Sequence, residues 1–178
     1  MLFRSQLGGL TTTALESFSV DQIAGLTTTQ VQGLTTTQLN AVGTDTFQAI
    51  NVSSLSWNQL RGLTTTAIGE MTETQVSTLT STEIGLLSTS QLGALTSTEV
   101  QAFTTTQISA LTTRQLSGLT TTALGEFSSD QINAFSTTQV RSLTTTQLNA
   151  LSTDLLDALD RSEEHTSELQ SQSTISYA

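Results

Sequence analysis

An eight-residue period runs through almost the whole chain and constrains its fold more than any other feature. The consensus Leu-Thr-Thr-Thr-Gln-Leu-x-Ala is plain at 34–41 and again at 143–150. Repetition at a fixed short period means that one small structural unit recurs and buries its apolar side chains against its neighbours. Position 1 of the octad is held by Leu10, Phe18, Leu26, Leu34, Val42 and Ile50. A five-residue unit, 50–54, then breaks the count. The count resumes at Leu55 and continues through Leu63 and Met71 to Leu143, Leu151 and Leu159. Position 6 is equally apolar, from Leu15 and Ile23 to Leu148 and Leu156. Position 8 is usually Gly or Ala, and position 2 is Thr or Ser almost throughout.

A longer period lies over the octad. Thr-Thr-Thr-Ala stands at Thr11–Ala14, Thr64–Ala67 and Thr120–Ala123. The spacing of these three tracts reads as duplication of a seven-octad block, with a small deletion in one copy.

The octad is a helix-start signal. With the Thr or Ser of position 2 as N-cap, the Gln or Glu of position 5 falls at N3 and completes a capping box. Positions 1 and 6 become the N′ and N4 residues of a hydrophobic staple. Asp21, Asp45, Asp130 and Asp154 then lie in first turns, where the helix dipole favours an acid. The next cap comes eight residues later, so each helix lasts about one and a half turns at ~3.6 residues per turn. Such pieces are unstable alone and need their neighbours. One long helix is disfavoured, because apolar residues at i, i+5 and i+8 do not hold one face and runs of Thr are poor helix interior.

The expected fold is therefore mainly α: a solenoid of very short capped helices, one per eight-residue repeat. Positions 1, 6 and 8 are expected to face a narrow core, with rows of Thr outside. A β-solenoid is the rival, since Thr, Val and Ile favour strands. Positions 1 and 6 have opposite parity, however, and a straight strand cannot bury both.

Both ends read differently. The run from Arg161 to Ser171 resembles the in-frame translation of a common short-read sequencing adapter, and 172–178 fits the index and flank that follow. Leu2 to Ser5 resembles the inner end of the opposite adapter arm. The expected organisation is an adapter-like artefact at 1–5, an octapeptide-repeat solenoid at 6–160 with its register break at 50–54, and a disordered adapter-like artefact at 161–178. Segments of this origin are set aside in reasoning about the fold. The repeat array then reads as an internal fragment of a longer protein.

Within 6–160 there is no His, Cys, Lys, Tyr or Pro; His165 and Tyr177 lie in the tail. Three Arg (Arg61, Arg114, Arg141) stand against twelve carboxylates, a formal charge of −9. A chain this acidic is repelled by nucleic acid and by anionic lipid. The lack of Cys excludes disulfides and thiolate zinc sites. No apolar run approaches the ~20 residues of a membrane helix.

Catalytic chemistry finds little material. Ser and Thr abound, but the array holds no His or Lys to activate one as a nucleophile. The densest carboxylates are Asp154, Asp157 and Asp160, followed by Glu70 and Glu73; both groups read as solvated faces. No calcium-loop pattern is present, and Gly8-Gly9 has no phosphate-loop context. Trp57, beside the break, reads as a filler of irregular packing, with a binding anchor as the rival. No catalytic, cofactor-binding or metal residue is assigned, and no enzyme is expected.

The octads at 10–159 resemble arrays in very large bacterial exoproteins and adhesin-like surface proteins. That resemblance implies a non-catalytic stalk or spacer at the cell surface or outside the cell, with neighbouring repeats and flanking domains as its partners. Regular Thr rows also resemble the ice-contacting faces of some repeat antifreeze proteins, which would require a flat β face. A protein-interaction scaffold is a third reading. Leu26 to Val31 resembles the start of DNA-reading repeats of bacterial effectors, but those units are far longer and basic, and no nucleic acid partner or membrane insertion is expected.

Overall fold

The computed structural model describes residues 3–159. Among these residues there are eighteen short α-helices, from Arg4–Gly8 to Thr145–Ala150, and one 3-10 helix, Val52–Ser54. Helical backbone resumes at 153–159, and no described residue is in a strand. The chain is thus the expected solenoid of short helices, one per octad, and the β-solenoid is set aside.

The local reason is the cap. Each N-cap residue is extended, as at Thr104 with φ −72° and ψ 155°. Its carbonyl accepts from the position 6 amide (Ile108 N to Thr104 O, 3.0 Å), and the next position 1 amide closes back on position 6 (Leu111 N to Ile108 O, 3.1 Å). The corner between helices therefore needs only ordinary backbone. No described residue has a positive φ, which is why the array turns every eight residues without Pro or Asn-Gly turns.

Each helix packs against the one three units further on. Trp57–Arg61 lies on Ser81–Leu86, which lies on Thr105–Ser109, which lies on Ser129–Asn133. Three octads thus make one coil, 24 residues from Ser81 to Thr105 and from Thr105 to Ser129. The 3-10 helix obeys the same rule. Val52–Ser54 packs on Thr28–Val31 on one side and on Glu73–Thr78 on the other. The five-residue unit is therefore a complete corner of its coil. Asn51 caps it, accepting from Ser53 N at 3.2 Å, and Ile50 and Val52 occupy the core in place of positions 1 and 6.

The core runs the length of the stack. Position 6 is its innermost layer: Leu15, Leu60, Ile84, Ile108 and Leu124 are among its fully buried side chains. Position 1 is buried in the interior coils, and Phe127 and Phe135 meet there edge-to-face at 5.9 Å. Position 8 reaches the core at Ala158 but elsewhere lies at its edge, with Ala49, Ala94 and Ala134 partly buried against it. Gly25, Ala41 and Ala150 are exposed, and Gly33, Ala94 and Ala110 are half-buried. Small residues suit the places where successive coils touch at that rim. A Cβ on Gly33 would stand 2.5 Å from the carbonyl oxygen of Arg4, one coil earlier. Position 5 takes most of the place in the core expected of position 8. Its Gln residues are almost wholly enclosed, as at Gln107 and Gln139, each 3% exposed.

Candidate functional site

Among the described residues the buried position 5 side chains form a polar system inside the stack, and its geometry recurs from coil to coil. At Gln107 the amide oxygen accepts from Thr104 N at 2.8 Å and from Thr104 Oγ1 at 3.1 Å, while Gln107 N donates to Thr104 Oγ1 at 3.2 Å. That is the capping box read from the sequence. The amide nitrogen does something else. Gln107 Nε2 donates to the carbonyl of Val76 at 2.9 Å and to that of Leu79 at 2.6 Å, one coil earlier. These two carbonyls stand at positions 6 and 1, where a helix ends and its last C=O groups need donors. One Gln side chain therefore satisfies the start of its own helix and the end of a helix in the coil before.

The same bridge recurs from Gln38, which reaches Leu7 and Leu10, to Gln147, which reaches Leu116 and Leu119. In a run of whole octads the two acceptors lie 31 and 28 residues back. Across the five-residue unit they lie 28 and 25 back, at Val31 and Leu34 for Gln59. The bond pattern is kept although three residues are missing. No buried side-chain N or O among the described residues lacks a partner.

At several units where position 5 is not Gln, another group takes up part of its role. The unit at 63–70 has Ala67 there. Asn40, from the previous coil, then accepts from Thr64 N at 2.8 Å and donates Nδ2 to Gly62 O at 2.8 Å. The unit at 42–49 has Gly43 as N-cap and Thr46 at position 5, and Glu16 Oε1 accepts from Gly43 N at 2.8 Å. Glu83 and Glu99 replace Gln outright. Glu99 Oε2 accepts from Thr96 N at 2.6 Å and from Thr96 Oγ1 at 2.9 Å, which completes the box. An ionised carboxylate has no proton for a carbonyl of the earlier coil. Burial raises the Glu99 pKa above its ordinary 4.5, against the lowering pull of the Thr96 bonds, and the nearby Glu73 carboxylate raises it further. Both acids line an open surface groove with Met71 and Thr96.

The residues singled out for chemistry are not brought together. Asp154 and Asp157 are exposed on the helical stretch 153–159, and Glu73 is exposed while Glu70 is half-buried. Among the described residues no group of three or more His, Cys, Asp or Glu is placed to hold a metal ion. Trp57 is 63% exposed at the first position of its helix, so it does not fill irregular packing at the break. Asp160 and the tail 161–178, with His165 and Tyr177, lie outside the described residues. At the other end the helix Arg4–Gly8 runs across the expected boundary at residue 5. The Thr rows are carried by first turns of helices, as at Thr74, Thr98, Thr122 and Thr146, so the flat β face that ice contact requires is not built by the described residues.

What these features define is a helical repeat array in which each coil is hydrogen-bonded to the next through buried amides. The sequence model of the ALTTAQ repeat matches residues 5–36, 113–145 and 124–161, less than half of the chain in total. Those matches fall in the first coils and the last ones, and the same octad and the same bridge connect them. No curated protein and no solved structure matches the chain. Among the described residues no helix is long and apolar enough to cross a membrane.

Proposed function

We propose that the chain is a non-catalytic spacer: a stalk segment of a larger bacterial surface or secreted protein of the adhesin-like kind, placed outside the cell. The observation that carries this reading is the recurrence of the coil-to-coil step along the stack, from Gln38 on Leu7 and Leu10 to Gln147 on Leu116 and Leu119. A structure built on one recurring step lengthens by adding steps, and that is what a spacer requires. The polar side chains that elsewhere serve a ligand are used here for cohesion between coils. The acidic surface supports the reading as well, because it keeps such a rod soluble and apart from other anionic surfaces.

The test is to insert one, two and three additional 24-residue coils after Ala110 and to measure the maximum dimension by small-angle X-ray scattering. Each coil is expected to add about 8–10 Å, the packing distance of neighbouring helices. A dimension that does not grow in equal steps would overturn the spacer reading.

A further inference from the structure

Two of the three position 5 residues in the coil 80–103 are acids. Glu83, Gln91 and Glu99 follow one another there, and all three are buried. Gln91 bridges as its counterparts do. Its Nε2 donates to Leu60 O at 3.1 Å and to Leu63 O at 2.9 Å, 31 and 28 residues back. The same register sets the carbonyls of Val52 and Leu55 against Glu83, and those of Ile68 and Met71 against Glu99. Val52 and Ile68 end their helices as Leu60 does: Val52 O accepts from Leu55 N at 3.1 Å, and Ile68 O from Met71 N at 3.2 Å.

A carboxyl has the shape of a primary amide, so its two oxygens fall where the amide puts its oxygen and its nitrogen. In both acids Oε2 is the box oxygen. Glu83 Oε2 accepts from Thr80 N at 2.7 Å and from Thr80 Oγ1 at 2.8 Å, and Glu99 Oε2 accepts from Thr96 in the same way. Oε1 is left in the place of the amide nitrogen, on the side of the earlier coil. When the acid is ionised, acceptor faces acceptor there, at side chains only 8% and 4% exposed. A proton on Oε1 makes that oxygen a donor.

We propose that the joint beneath the coil 80–103 is operated by protons: protonation of Glu83 and Glu99 completes a bond from each to the coil before, so the joint tightens in acid and loosens toward neutral pH. Thr46, Ala67 and Ala123, which also lack the amide, have no proton to gain. The charged groups of the adjoining coils are Arg61, Glu70 and Glu73 on one side and Arg114 and Glu126 on the other. Arg61, Glu73 and Arg114 are exposed, and Glu70 and Glu126 are half-buried. Glu99 also lines the open groove with Met71 and Thr96, which gives protons a way in. Burial raises its pKa against the pull of the Thr96 bonds, and Glu73 adds to the rise. The stability gained is therefore complete below the ordinary 4.5 and is lost as pH rises through the raised folded value. This goes beyond the spacer reading and does not depend on it.

Hydrogen exchange of single backbone amides in the full chain, followed by nuclear magnetic resonance at pH 4 and pH 7 and corrected for intrinsic rates, tests the proposal. The probes are Leu55 N and Met71 N, which close on the carbonyls of Val52 and Ile68. Phe103 N, Leu111 N and Leu119 N are the references. They close on Val100, Ile108 and Leu116, whose bridges come from Gln131, Gln139 and Gln147 and do not titrate. From pH 7 to pH 4 each probe is expected to gain about tenfold in protection over the references, the worth of one hydrogen bond. Glu83→Gln should abolish the gain at Leu55 and keep it at Met71, and Glu99→Gln should do the reverse. Both substitutions install the residue that twelve other units already carry. Probes that track the references at both pH values, or a gain that survives in the corresponding Gln variant, overturn the proposal.

Discussion

Around Gln107 and around the unit 50–54 the same wall is built from different lengths of chain. Gln107 reaches carbonyls 31 and 28 residues back, through whole octads. Gln59 reaches the equivalent carbonyls 28 and 25 residues back, through a coil containing the short unit. In the first case a corner is an α-helix of five residues, Thr105–Ser109; in the second it is the 3-10 turn Val52–Ser54. The difference teaches that the stack counts corners and bonds, not residues. A corner can shorten if it still delivers one apolar side chain before its turn and one within it, and if the Gln bridge of the following coils still lands.

The largest effect that would break this comparison is loss of an interior bridge. Gln107→Leu removes the box oxygen and leaves the carbonyls of Val76 and Leu79 without their amide donor. It is expected to lower stability in urea unfolding by about 2–4 kcal/mol. Gln22→Leu, in the first coil, loses only the box and should cost about 1 kcal/mol. Equal costs at the two sites would mean that the inter-coil bonds contribute nothing.

Next comes the rim. Gly69→Ala places a Cβ 2.9 Å from the carbonyl oxygen of Ala94 in the following coil. Backbone on both sides must give, and thermal unfolding should report a loss of roughly 1–3 kcal/mol. Gly125, where a Cβ meets nothing within 4 Å, is the control, and Gly125→Ala is expected to be neutral or slightly stabilising, by at most about 1 kcal/mol.

Much of this was legible in the octad, and one part of it was not. Capping, one helix per unit and the apolar roles of positions 1 and 6 follow from local rules, because each concerns residues a few positions apart. The burial of position 5 does not, because a capping box accounts for Gln without any neighbour. A clue was nevertheless present. A box accepts Glu as readily as Gln, yet position 5 holds twelve Gln, from Gln6 to Gln147, and only Glu83 and Glu99. That bias marks a need for the amide donor, which only a second coil supplies. Three units per coil left no trace in the longer period, since the Thr-Thr-Thr-Ala block spans seven octads. Position 8 was only partly placed, reaching the core at Ala158 and its edge elsewhere, because a small residue serves a tight rim as well as a tight core.

A smaller effect concerns the substitute cap. Asn40→Ala should cost about 1 kcal/mol by leaving Thr64 N without its acceptor. In an Ala67→Gln background, where the box is restored, the same substitution should cost measurably less, and a double-mutant cycle reads the coupling. Additive effects would show that Asn40 does not stand in for the missing Gln.

The smallest effect is electrostatic. Glu99 has a raised pKa, so its protonated form is favoured in the folded chain. Its contribution is fully present below the ordinary value of 4.5 and is lost as pH rises through the raised folded value. Glu99→Gln should therefore stabilise the chain more at pH 7 than at pH 4, as read from melting temperature. A gap between the two proteins that is constant with pH would contradict this.

The central claim is that a position 5 amide joins its own helix start to a helix end one coil earlier. Nuclear magnetic resonance of the Gln107 side-chain amide tests it most directly. The account predicts slowed hydrogen exchange of the Nε2 protons, with nuclear Overhauser contacts to Val76 and Leu79 as well as to Thr104. Exchange as fast as that of an exposed Gln amide, with contacts to Thr104 alone, would contradict it.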